Sequence, residues 1–361
     1  MIRIATIGTS MIGDSFIDVL NDNPRARYIG TFSRDANRAE EFTREHGGER
    51  PFRSIEDIAS AQDIDAVYLG SPNAIHLEQA LVCIAAGKHV LVEKPVCATA
   101  LEARKLFETA NAAGVVALEA MRPLHDPALK IIRDALPRLG KIRRATFRFG
   151  KYSSRYDELL SGRHTNIFDC NLATGALMDI GVYCVEPLIA LFGAPNAIQC
   201  APVLLDESTE ALTHGRLDGA GVITASYDHM AATLHYSKIT QDLAENQIEG
   251  ERGTLTFDGI SMPSGARIDE RVSGSDGVGY SSTATSKHEL ELPSCANSMA
   301  YELEDFLDAI ACVQNGSSPS AAPAGWVGTI GDAQEISLRS LLLMDEARRQ
   351  SGIRFPADHD R

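Results

Sequence analysis

The chain has 361 residues, 44% of them hydrophobic and 23% charged, with a formal net charge of -15. That length exceeds what one hydrophobic core usually holds, so two domains with a cleft between them are expected. The composition leaves little room for disorder, and the negative charge, with no basic stripe to offset it, argues against a nucleic-acid partner. The seven cysteines form no C-x-x-C pair and are odd in number, so they read as reduced packing residues. No apolar run approaches the roughly 18 residues of a membrane span. Residues 2–7 already resemble a strand rather than a secretory signal, so a cytoplasmic location is expected.

Along residues 1–120, short β-branched runs at 2–7, 28–32, 66–69, 89–92 and 115–118 alternate with stretches at 12–21, 37–46, 74–86 and 98–113. Apolar residues in the latter recur every three or four positions. These are βαβ units, and they predict an α/β Rossmann domain built on a doubly wound parallel sheet. The rhythm changes over residues 121–361. A helix at 127–136 and a strand at 143–149 precede a helical run from 175 to 192. Strands at 221–227, 231–236, 247–251 and 254–257 follow, and helices at 299–312 and 326–350 close the chain. An α+β domain with an open, mainly antiparallel sheet and helices on one face is expected. Residues 273–287, rich in Ser, Gly and Thr, look like a mobile excursion.

The first strand runs into Gly8-Thr9-Ser10-Met11-Ile12-Gly13, which matches G-x-G-x-x-G at its outer glycines and has Ser10 at the middle one. The tight turn and the helix N-terminus survive, and that terminus suits a pyrophosphate. The second strand ends in Ser33 and Arg34, where an acidic residue would meet the ribose 2′-hydroxyl of NAD. The planar fork of Arg34, with Ser33 beside it and Arg38 one turn on, suits a 2′-phosphate, so NADP is favoured and NAD stays possible. Two alternatives stand: Arg34 as a solvated loop residue, and Asp35 turned inward.

The stretch from Gly87 to Pro95 ends a buried-looking strand in Glu93-Lys94-Pro95, at the carboxyl end where open α/β sheets bind ligands. Pro95 biases Lys94 toward extended backbone, aimed at the nicotinamide and substrate. No cluster of His, Cys or carboxylates has metal-ligand spacing, so no metal is expected.

The glycine motif, Ser71-Pro72-Asn73-Ala74-Ile75-His76, Glu93-Lys94-Pro95 and Gly175-Ala176-Leu177-Met178-Asp179-Ile180-Gly181-Val182-Tyr183 occur in that order. Together they resemble the glucose-fructose oxidoreductase/inositol dehydrogenase/MocA family over nearly the whole chain. The resemblance implies Lys94, Asp179 and Tyr183 as catalytic residues. It places Ser71, Pro72, Asn73, His76, Glu93 and Arg122 around the cofactor, with His125 near Arg122. Tyr183 stands where many members have His, which points to the branch resembling dimeric dihydrodiol dehydrogenase and D-xylose dehydrogenase and away from inositol dehydrogenation. A sugar-like small-molecule substrate and a homodimer or higher symmetric oligomer are implied.

Positions 179 and 183 are four apart and share a helix face. Oxidising a carbinol needs its hydroxyl proton removed, and Tyr183 with the Lys94 ammonium nearby suits that task. Arg155, His164, Asn166 and Phe168 precede this helix and are candidates for contacting substrate hydroxyls. Other readings are a redox glycosidase with tightly held cofactor and a cofactor-binding regulator without turnover.

Overall fold

The computed structural model describes residues 1–272 and 285–360. The first sheet is five parallel strands, β1 (Ile2–Ile7), β2 (Ala26–Phe32), β3 (Ala66–Leu69), β4 (His89–Glu93) and β5 (Ala117–Ala120), in the order β2-β1-β3-β4-β5. The helices between them are α1 (Met11–Asp22), α2 (Ala36–Glu45), α3 (Ile55–Ser60), α4 (His76–Ala85) and α5 (Ala100–Ala113). Every residue of β3, β4 and β5 is buried, as befits strands covered on both faces. Strand order reverses at β1, whose neighbours are β2 and β3, so a crevice opens outside the carboxyl ends of these strands.

The chain then runs through α6 (Arg122–His125), α7 (Pro127–Ala135), β6 (Ile142–Gly150) and α8 (Ser154–Leu160). The expected helical run over 175–192 is divided into a π-helical turn, Leu177–Gly181, followed by α9 (Val182–Phe192). Next come β7 (Ala197–Leu204), α10 (Glu210–Thr213), β8 (Asp218–Ser226), β9 (Ala231–Ser237), β10 (Asn246–Gly250), β11 (Gly253–Phe257), β12 (Ala266–Arg271) and β13 (Thr285–Leu290). Among the described residues these strands form one eight-stranded sheet, β13-β12-β11-β10-β6-β9-β8-β7. It is antiparallel except at its centre, where β6 and β9 run parallel with Gly150 opposite Ser237. Most of the expected excursion, residues 273–284, lies outside the described residues, and 285–287 open β13.

The last helices, α11 (Met299–Gln314) and α12 (Ile330–Ser351), return to the first sheet. Met299, Leu303 and Phe306 share a core with Ile4, Phe16 and Leu20, and Gln334 bridges the Asn111 side chain and the Ala117 carbonyl. One expectation needs correction: residues 170–192 are long and apolar enough to cross a membrane by composition alone. Most of this stretch is buried inside the protein, against the second sheet and the helices, which accounts for its apolarity.

Candidate active site

A cleft of about 930 Å³ lies between the carboxyl ends of the parallel strands and the second sheet. Gly8 turns the chain out of β1 at φ 103°, and a Cβ there would sit 2.7 Å from the Gly70 carbonyl oxygen, so only glycine fits. Ser10 is the N-cap of α1 with extended backbone, and its hydroxyl makes no capping bond, so the first-turn amides face the cleft beside it. Thr9, Met11 and Ile12 continue this wall. Gly13 does not line the cleft; it packs against the Gly8 carbonyl and the Phe42 ring.

At the end of β2, Ser33 and Arg34 line the cleft. Arg34 is exposed and makes no ion pair with any described residue. Arg38 lies elsewhere, with its guanidinium bonded to Glu41 (3.0 Å) and Glu45 (3.4 Å) and resting over the Phe42 ring. Asp35 caps α2, accepting the Asn37 and Arg38 N–H groups, which turns it away from the cleft. An unpaired cation with no competing carboxylate, beside a free helix N-terminus, is the donor set that a 2′-phosphorylated dinucleotide requires.

Ser71, Pro72 and Asn73 form the next wall. Asn73 donates to the Ala173 carbonyl at 2.8 Å and so ties the first domain's loop to the segment before the π turn. His76 stays outside, fully buried, with its ring nitrogens on the carbonyls of Ser71 (2.8 Å) and Pro95 (3.2 Å). Burial pushes its pKa down, and a neutral ring has one N–H to give to either carbonyl; the side chain sits between these two loops, outside the cleft lining.

Glu93 ends β4 and Lys94 follows it at the bottom of the cleft, with a cis peptide between Lys94 and Pro95. Lys94 Nζ donates to the Asp179 carbonyl oxygen at 2.7 Å and to Asp179 Oδ1 at 3.1 Å, while Lys238 Nζ reaches Oδ2 at 2.5 Å. Burial opposes charge on Lys94, yet the Asp179 carboxylate prevails and raises its pKa. Burial likewise opposes ionisation of Asp179, and the two ammonium groups hold it well below the usual carboxylate range. Glu93 differs: burial raises its pKa despite Lys94, and it accepts the Tyr68 hydroxyl at 2.6 Å.

Tyr183 is buried, with Lys94 Nζ 4.9 Å from its ring centroid and the Phe149 ring packed edge-to-face against it, centroids 5.4 Å apart. Arg122 Nη2 donates to the Tyr183 hydroxyl oxygen at 3.3 Å, which leaves the phenolic proton to point elsewhere. Arg122, expected beside the cofactor, thus also serves the tyrosine. Of the further candidates only Asn166 lines the cleft. Phe168 is fully buried, His125 meets Asp305, Arg155 pairs with Glu158 and His164 contacts Asp169.

Lys238 and Lys151 also line the cleft, and sequence reasoning passed over both. Each follows the last residue of a strand, β9 and β6, and the parallel pairing of these strands brings both to one edge. A lysine at the carboxyl end of a predicted strand was the available signal.

Residues 2–120 match the model of GFO/IDH/MocA, an oxidoreductase family with an NAD-binding Rossmann fold, and residues 135–256 match the model of the GFO/IDH/MocA C-terminal domain. The scyllo-inositol 2-dehydrogenase (NADP(+)) IolU of Bacillus subtilis is 37% identical over 358 residues, 99% of each chain. The trans-1,2-dihydrobenzene-1,2-diol dehydrogenase of Mus musculus is 32% identical over 197 residues, 54% of this chain and 57% of that one. Among solved structures, the 3-ketoreductase KijD10 of Actinomadura kijaniata, bound to NADP and TDP-benzene, superposes with a TM-score of 0.78 at 24% identity over 97% of both chains. It shares the fold.

Proposed function

The chain belongs to the GFO/IDH/MocA oxidoreductase family, and from that premise we propose an NADP-dependent dehydrogenase that interconverts a hydroxyl and a carbonyl carbon on a polyol, cyclitol or sugar. Residues 1–120 hold the cofactor, residues 121–361 supply the substrate wall and the subunit contacts, and the enzyme is a cytoplasmic homodimer. The carrying observation is the convergence of Lys94, Asp179, Lys238, Tyr183 and Arg122 at the bottom of the cleft.

Bound nicotinamide supplies or takes up the hydride. Ser33 and Arg34 hold its 2′-phosphate, and the α1 amides face its pyrophosphate. Asp179 keeps Lys94 protonated, so Lys94 serves as a fixed positive charge that stabilises the alkoxide and not as the group that gives up a proton. The transferable proton then sits on Tyr183, whose hydroxyl oxygen is held by Arg122. Lys238 neutralises the second Asp179 oxygen and, with Asn166, presents donors to neighbouring substrate hydroxyls.

The test is an absorbance screen for NADPH formation with scyllo-inositol, other cyclitols, pentoses, hexoses and dihydrodiols, and for NADPH consumption with their ketones. Net turnover on at least one polyhydroxylated substrate is expected, slowed about 10²–10⁴-fold by Lys94→Met and by Tyr183→Phe, with the double variant barely worse than the poorer single one. Bound NADP with no net redox on any of these compounds would refute the proposal.

A further inference from the structure

Beside the cleft, three groups from two segments meet without a role in the proposed reaction. Asp169 is buried, and each of its carboxylate oxygens is approached by one imidazole: Oδ2 by His164 Nε2 and Oδ1 by His214 Nδ1, both at 2.8 Å. We propose that His164, Asp169 and His214 bind a divalent cation of the zinc class. Their spacing in sequence, 5 and 45 residues, matches no ligand signature, which is why only the fold brings them to notice.

Three observations carry the inference. First, one ligand atom from each residue lies within 4.8 Å of the others. Oxygen and nitrogen ligands held roughly 2.0–2.1 Å from a tetrahedral zinc are about 3.3 Å apart, so shifts of up to about 1.5 Å in the separations, within reach of two exposed imidazoles, bring the three atoms to coordinating distance. Two imidazoles and a carboxylate are a donor set that suits such a metal, and both histidines are exposed, which leaves a fourth position for water.

Second, the carboxylate is oriented from behind. Asp169 Oδ1 accepts the Asn171 N–H at 2.9 Å, and the main chain that carries it is held by the Asp169 backbone N–H donating to Thr174 Oγ1 at 2.9 Å. Such supporting contacts fix a ligand before the ion arrives. Third, His214 ends α10 with left-handed backbone, φ 53° and ψ 30°, uncommon for a residue with a side chain, and this turn aims its ring at Asp169.

The segment from His164 to Thr174 also supplies Asn166, Ile167 and Thr174 to the cleft wall, and Ala173 to Asn73. A bound ion would pin that wall to the turn after α10, and so set the shape of the substrate end without touching the reacting atoms.

The test titrates Zn²⁺, and Co²⁺ as a spectroscopic probe, into the EDTA-treated full chain. Expected are one ion per chain, cobalt absorption of a four- or five-coordinate N/O site, and a thermal midpoint that rises with Zn²⁺. His164→Ala and His214→Ala should each weaken binding at least about 10-fold while leaving NADP affinity unchanged, which serves as the check on folding. Absence of binding at about 100 µM Zn²⁺, or binding that survives either substitution, would mean that these three groups are only a hydrogen-bonded cluster, and the site is refuted.

Discussion

Asp179→Asn removes the charge that two ammonium groups share while keeping the side-chain volume and the backbone carbonyl that Lys94 also meets. Lys94 and Lys238 lie 3.1 and 2.5 Å from its two oxygens, with all three side chains largely shielded from water. At an effective dielectric of about 20 each contact is worth about 5–7 kcal/mol of gross attraction. Desolvation offsets much of this, and deleting one partner of such a buried pair typically costs about 3–5 kcal/mol.

Without the carboxylate, burial acts on Lys94 against only the remaining pull of Tyr183 and Glu93, and Lys94 should lose its proton below the usual pKa of about 10.4. The signs follow from linkage. In the wild type the raised Lys94 pKa gives stability that is present up to the unfolded value and lost only above it. In the variant the lowered pKa makes folding stability poorest at low and neutral pH and recovering as pH rises toward about 10, while turnover falls over the same interval. Turnover should already be down about 10²-fold near neutrality. Scanning fluorimetry and kcat across pH measure both trends. A variant whose kcat profile runs parallel to wild type, with a pH-independent thermal midpoint, would show that the lysines do not depend on Asp179 for their charge.

Arg34→Ala should raise the NADP dissociation constant roughly 10–100-fold and leave NAD binding unchanged, because a charge-assisted bond is worth about 1.5–3 kcal/mol and Arg34 has no ion-pair partner to release; equal losses in fluorescence titrations with both cofactors would count against it. Glu186 and Glu119 are buried together, and burial pushes both pKa values up, so their cost to folding is absent below the unfolded pKa and grows as pH rises through the folded one. Glu186→Gln should therefore gain on wild type by about 1–3 kcal/mol between about pH 5 and pH 8, and a thermal-midpoint gap that narrows over that range would contradict this. Light scattering at micromolar concentration should return twice the 39.0 kDa chain mass, and a clean single-chain mass would remove the homodimer from the proposal.

The parallel half was readable because each strand is a short apolar run and each helix an amphipathic one; predicted and observed β1 and β3 coincide. The fifth strand lies two residues later than expected, since Val115 and Val116 are as apolar as the ladder residues that follow. In the second half, β13 was invisible: Thr285 to Leu290 carries Lys, His and Glu and reads as loop. β7 contains Pro202, which an edge strand tolerates. Lys94, Asp179 and Tyr183 could be picked out because they sit in distinctive local motifs. Lys238 had only its place at a strand end to mark it, since its partner lies 59 residues away and sits in no shared motif. Arg38 and His76 lie outside the cleft lining because each is engaged nearby, by carboxylates on its own helix or by carbonyls in adjoining loops, contacts that the local motifs do not reveal.

The single parallel pairing in the second sheet has an evolutionary consequence. Lys151 and Lys238 stand just past the ends of β6 and β9, outside the alternating pattern that packs the sheet. Lys238 is tied to the buried Asp179 carboxylate, whereas Lys151 is exposed and makes no ion pair with a described residue. Mutational drift at position 151 can therefore alter which array of substrate hydroxyls is accepted at little expense to the core, while position 238 stays constrained. A lineage built on this frame would be expected to change its diet one strand end at a time.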